Sequence, residues 1–188
     1  MNEETVRNTV DLLTRSARLK HLPRTGWLLR GVSAPESVAA HSHGVAVFVL
    51  VLLDVIDETL DRGRALAMAA LHDLPEAVVG DIPAPATRFL PAGAKTAAEA
   101  AILGEMTAGT ASAASWAALW AEYAAGQSAE AKLVHDADQL DKFLQALTYR
   151  RAGHRDVDDF WSLMDAHSWA YAASRELLEL IHERAREG

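Results

Sequence analysis

Nine consecutive apolar residues, Val45 to Leu53 (VAVFVLVLL), constrain this chain more than any other stretch and end abruptly at Asp54. The run is only half the roughly 20 residues that a membrane-spanning helix requires. Its spacing with the residues before it predicts a helix from Ser37 to about Leu60, apolar nearly all round. A helix of that kind belongs in the middle of a bundle, wrapped by others. Ser37 supplies the N-cap, with Pro35 just outside it.

The flanking segments continue the helical period. Val6, Val10, Leu13 and Ala17 mark one helix over 4–19. Further helices are expected at about 63–74, stopping at Pro75, and at 95–107, 112–125 and 128–151. The last of these places Leu133, Ala137, Leu140, Leu144 and Leu147 on one face. Residues 158–185 close the chain, with Leu163, Leu177, Leu178 and Ile181 as core residues. Segments 20–37 and 78–85 carry the prolines and glycines that break helices. No stretch alternates polar and apolar residues over a strand length. The expectation is an all-α bundle of six or seven helices forming a single domain over 1–188.

Composition excludes several function classes. With no cysteine, disulfides, cysteine-ligated zinc and thiol chemistry are impossible. Eighteen basic against 26 acidic residues give a net charge of −8, unlike a general polyanion binder, so no stable nucleic-acid partner is expected. The N-terminus lacks a basic head followed by an apolar run, which predicts a soluble, cytoplasmic protein without a membrane partner.

Chemistry concentrates in three places: His41 in ESVAAHSHG, His72-Asp73 in AALHDLPE, and Asp138 in LVHDADQLDKF. Each lies beside apolar sequence, where an unpaired charge is costly. Imidazole and carboxylate donors together suit Mn, Fe, Co, Ni or Zn better than Mg. Hydrogen-bonded core histidines with helix-capping acids account for each group taken alone, and spacing does not establish that the three converge. His43 sits about 200° round the helix from His41 and should face elsewhere. His135, three residues before Asp138, either orients it or is hydrogen-bonded on its own account. Asp141 is equally suited to supporting the site and to a solvated helix face. Lys95 is a weak candidate for a substrate contact and reads better as a solvated lysine.

Taken together, these segments resemble a known family. The order His41, His72-Asp73, Asp138, with PRTGWLLRGV (23–32), PESVAAHS (35–42), ALHDLPEAVVGDIPAP (70–85) and KLVHDADQLDKFLQAL (132–147), is similar to the HD-domain metal-dependent phosphohydrolase superfamily. Within it, the flanks resemble the branch containing bacterial 5′-deoxynucleotidases and the human HD domain-containing protein 2. The resemblance implies an HD-domain helical bundle, frequently dimeric, so a homodimer is expected. It implies that His41, His72, Asp73 and Asp138 ligate a divalent transition metal, and that Glu76, with the ligand Asp73, performs the catalysis. It implies that Asp81 and Trp27 contact the nucleoside and that Arg24 or Arg30 contacts phosphate. Two departures stand out: Ala40 replaces a common glutamate, removing a carboxylate next to His41, and Gly44 stands near a position commonly arginine.

No histidine occurs from 74 to 134, so four ligands point to one ion. The expected activity is a metal-dependent phosphomonoesterase converting (deoxy)nucleoside 5′-monophosphates to nucleoside and phosphate. The ion would polarise the phosphoryl group and lower the pKa of the attacking water. The competing expectations are hydrolysis of another phosphate ester or a nucleoside triphosphate, and a non-catalytic, metal-containing metabolite-binding regulator.

Overall fold

The structure is a computed structural model that describes residues 2–187, the side chains of residues 163–165 excepted. Leu163, expected in the core, therefore lies outside the described side chains. Seven helices of ten residues or more form the frame: α1 (Glu3–Ser16), α2 (Val38–Val55), α3 (Arg62–Leu71), α4 (Ala94–Thr107), α5 (Ala113–Ala125), α6 (Ala129–Arg151) and α7 (Ala172–Arg186). Three single-turn helices, at 25–28, 76–79 and 84–87, and two 3₁₀ segments fill the joints. Among the described residues there is no strand, only an isolated bridge between Pro23 and Ser37.

The caps follow the sequence. Asn2, Ser37, Asp61 and Ser128 each accept a backbone N–H of the first turn, at the starts of α1, α2, α3 and α6. The core lies where α2, α3, α6 and α7 meet, around Val45, Val49, Leu52, Met68, Leu133, Leu140, Phe143 and Leu178. Helix α6, with 23 residues, runs through it and carries the largest buried set.

Several expectations need correction. Helix α2 is not enclosed all round: Val38, His41, Val45, Val49 and Leu52 are buried, whereas Val47, Leu50, Val51 and Val55 are exposed. It packs chiefly on α6 and α3, which cover one side only, and it ends at Val55 rather than Leu60. Helix α1 turns Leu12 inward and leaves Val6, Val10 and Leu13 outside; on α6 Leu144 is likewise exposed. Helix α3 stops at Leu71, before Pro75. A proline lacks the N–H for helix continuation and disfavours helical geometry in the residue before it, so the chain leaves the helix early and places His72-Asp73 in the turn. Finally, the closing segment is not one helix. Buried Asp136 of α6 accepts hydrogen bonds from the N–H groups of Ala170 and Tyr171 and pairs with His167. These contacts hold 167–171 extended between the 3₁₀ segment 158–166 and α7.

Candidate metal centre and active site

Three helices bring the expected ligands together. His41 sits one turn into α2, His72 and Asp73 follow the last residue of α3, and Asp138 lies in the first half of α6. His41 and His72 are buried, with Nε2 of His41 2.9 Å from Asp138 Oδ1 and 3.7 Å from Asp73 Oδ2. Nε2 of His72 lies 3.2 Å from the same Asp73 oxygen. One donor atom from each of His41, His72 and Asp73 falls within 4.8 Å of the others.

The imidazole partners fix which nitrogen is free. His72 donates its Nδ1–H to the Ala69 carbonyl at 2.8 Å, leaving a lone pair on Nε2. That atom is buried without a hydrogen-bond partner. A buried nitrogen lone pair facing carboxylates is unfavourable unless something positive lies between them. Nδ1 of His41 is 2.7 Å from Asp141 Oδ2, which likewise directs its Nε2 to the cluster. Burial disfavours charge on His41, but the hydrogen bonds to Asp138 and Asp141 outweigh it and push its pKa up to about 9. Burial also opposes ionisation of Asp73 and Asp138. His72 and Arg24 at Asp73, and Lys142 and His41 at Asp138, outweigh that and hold both below the usual carboxylate range. Two imidazoles and two ionised carboxylates form a mixed nitrogen and oxygen donor set that fits a divalent transition ion.

Glu76 stands at the edge of this cluster, 2% exposed, with Oε2 lacking a hydrogen-bond partner. Burial, then the Asp73 and Asp81 carboxylates, raise its pKa to about 9 against the pull of Arg24 and Lys95. A carboxylate so placed binds a proton readily. A cavity of about 360 Å³ opens beside it, lined also by Arg18, His21, Leu22, Ala77, Val78 and Gly80.

The four residues expected to contact substrate divide into two pairs. Arg24 joins the cluster: Nη1 is 3.3 Å from Asp73 Oδ2, 3.2 Å from Asp81 Oδ1 and 4.0 Å from Glu76 Oε2. Asp81 ties down the loop that carries Arg24, accepting the Thr25 N–H while its own carbonyl accepts the Thr25 hydroxyl. Trp27 and Arg30 are not brought to the cluster. Trp27 is 2% exposed, stacked on Phe160 and edge-on to Tyr149, with its Nε1–H donated to Glu36. Arg30 forms a two-pronged ion pair with Asp159 and covers the Phe160 ring.

Sequence reasoning misses Lys142 and leaves Lys95 and Asp141 between the site and solvent. Lys95, read as solvated, places Nζ 3.1 Å from Glu99 and 3.7 Å from Glu76. Lys142 holds the second oxygen of Asp138 at 2.6 Å; its i,i+4 spacing on α6 was the available signal. Asp141 faces the site rather than solvent. His43 points outward as expected, and His135 bonds the Tyr123 carbonyl rather than Asp138.

The HD domain family model matches residues 16–175. The chain belongs to the HD-domain family. This HD domain is 38% identical over 151 residues to 5′-deoxynucleotidase HDDC2 of Bos taurus, covering 79% of the chain and 71% of that relative. It is 35% identical over 159 residues to the Homo sapiens protein of the same name, covering 82% and 76%. Among solved structures, a Pyrococcus horikoshii protein superposes with TM-score 0.80 at 36% identity, over 95% of this HD domain and 99% of its own chain. A Magnetospirillum magnetotacticum protein described as a predicted metal-dependent phosphohydrolase superposes with TM-score 0.68 at 25% identity, over 97% of each chain.

Proposed function

We propose that this HD domain is a metal-dependent phosphohydrolase that converts (deoxy)nucleoside 5′-monophosphates to nucleoside and phosphate. The unpartnered, buried Nε2 of His72 beside His41, Asp73 and Asp138 carries the reading, because an empty donor set of this kind is costly and a dication satisfies it. The 35–38% identity to proteins named 5′-deoxynucleotidase supports the nucleotide as substrate. His41, His72, Asp73 and Asp138 would hold one ion of the Mn, Fe, Co, Ni or Zn class. That ion, when bound, supplies Lewis-acid polarisation of a phosphoryl oxygen.

The remaining work falls to the chain. Glu76 takes the proton from the attacking water as the new P–O bond forms and the P–O5′ bond breaks, and that proton passes to the departing O5′, directly or through solvent, so that nucleoside and phosphate are released. Arg24 keeps Asp73 ionised and oriented, and through Asp81 holds the 23–32 loop against the 72–81 segment. Lys95 offers positive charge next to Glu76 where phosphate charge accumulates.

The deciding measurement pairs elemental analysis with phosphate release over a panel of nucleoside mono-, di- and triphosphates. About one transition ion per chain and release confined to monophosphates are expected. Preference for triphosphates, or an ion-loaded protein inert on the whole panel, would overturn the substrate assignment.

We further propose a cytoplasmic homodimer. The exposed Val47, Leu50, Val51 and Val55 on α2 support a covered apolar face. Helix α2 is also long and apolar enough to cross a membrane, but its His41-bearing side is committed to the bundle core. Light scattering should give twice the 20.3 kDa chain mass. A stable monomer at working concentration would refute the dimer.

A further inference from the structure

Gly44 lies inside α2, one turn after His41, with an ordinary helical backbone. Glycine at such a position destabilises a helix relative to alanine. Its φ is not positive, so conformational freedom does not explain it. Space does. A Cβ at residue 44 would collide with the Asp141 carboxylate, lying only 2.8 Å from its Cγ.

Asp141 occupies that gap and reaches Nδ1 of His41 at 2.7 Å. His41 is completely buried, so no water competes for this N–H. On the same helix Ala40 offers no carboxylate of its own. The other acid nearby, Glu36, is taken up by the Trp27 indole N–H at 2.9 Å. The arrangement is therefore built from two helices: a missing side chain on α2, and an aspartate on α6 one turn beyond Asp138.

We propose, resting on the metal reading above, that Gly44 and Asp141 act together as positioning residues for the metal centre. With its Nδ1–H held by Asp141, the His41 ring is fixed in one tautomer and one orientation. Its Nε2 then faces Asp73 and Asp138, where an ion would take the place of the proton shared with Asp138, and the adjacent negative charge makes it a stronger donor. Neither residue touches the ion or the substrate. A side chain at 44 removes the support by displacing Asp141, even though residue 44 itself contacts nothing in the cluster.

The test uses the full chain, stripped of metal and titrated with Co²⁺, read by its absorption and by calorimetry. Outer carboxylates on ligating histidines are typically worth 10–100-fold in metal affinity. Asp141→Asn keeps the shape and loses the charge, so its Kd for Co²⁺ should rise by 10–100-fold while the metal-free chain unfolds at nearly the wild-type temperature. Gly44→Ala should weaken Co²⁺ by a similar factor. The double variant should be no weaker than the worse single, because both changes remove one interaction. A purely structural role would lower the unfolding temperature and leave the Kd alone, which would overturn the proposal. So would wild-type affinity in Asp141→Asn, or additive losses in the double variant. If Gly44→Ala does not fold, the isosteric Asp141→Asn decides. A wild-type chain that binds no Co²⁺ would instead overturn the metal reading beneath it.

Discussion

Replacing Asp73 by alanine is expected to empty the metal centre and end turnover. The carboxylate is the hub of the cluster: its Oδ2 lies 3.2 Å from His72 Nε2, 3.7 Å from His41 Nε2 and 3.3 Å from Arg24 Nη1. No other described acid reaches both imidazoles and the guanidinium, so nothing can substitute. The loss also strips Arg24 of one of the carboxylates that offset its burial, leaving Asp81 as its nearest anionic partner. Elemental analysis should fall from about one ion per chain to near zero, and phosphate release to background. Asp73→Asn keeps the shape but donates poorly to a cation, and should lose metal too. An Asp73→Ala chain that retains its ion at full stoichiometry would remove Asp73 from the ligand set.

Glu76→Gln should do the opposite, keeping the ion and losing the rate. The glutamate is buried beside the cluster, yet the proposed ligands, His41, His72 and Asp73 with Asp138 2.9 Å from His41, need no donor from it. Burial and the neighbouring Asp73 and Asp81 raise its affinity for a proton; a dication at the cluster would offset those two carboxylates and leave Glu76 ionised, able to accept a proton from water. Glutamine preserves volume and hydrogen bonding but not basicity. General acid–base assistance is typically worth about 10²–10⁴ in rate, so kcat should fall by that factor with metal content and nucleotide affinity close to wild type. Single-turnover phosphate release with parallel metal analysis checks this. Wild-type turnover with the ion in place would exclude Glu76 as the base, and loss of the ion would make it a ligand or a direct support of one.

What the sequence disclosed follows the range of the forces involved. Helices α4, α5 and α6 begin and end within a residue or so of the apolar period and its caps, because period and capping are local. The order His41, His72-Asp73, Asp138 marked side chains that the fold brings near one another, since the motif flanks are also local. Contacts between distant residues were hidden. Asp141 meets His41 across 100 positions, and nothing in the α6 periodicity separates it from a solvated acid. The i,i+4 partner of Lys95, Glu99, is legible in the sequence, but the approach of Lys95 to Glu76, which lies in a different, single-turn element, is not. The resemblance pointed Trp27 toward substrate; its place in the core depends on Phe160, in a segment whose 3₁₀ form is not visible as a period. The break in the closing segment is set by Asp136, again a long-range acceptor.

The dispersal of the ligands has a thermodynamic consequence. Positions 41, 72–73 and 138 are supplied by three helices, and only the neighbours His72 and Asp73 are close in the unfolded chain. An unfolded chain therefore offers at most a weak two-atom chelate, so the ion recognises the assembled bundle. Whatever free energy it gains by binding is added to the stability of the fold itself, about 2.7 kcal/mol when free ion stands a hundredfold above Kd. With the proposed ligand set, the catalytic ion doubles as a fastener across α2, α3 and α6, and cells short of the metal would hold a looser protein as well as a slower enzyme.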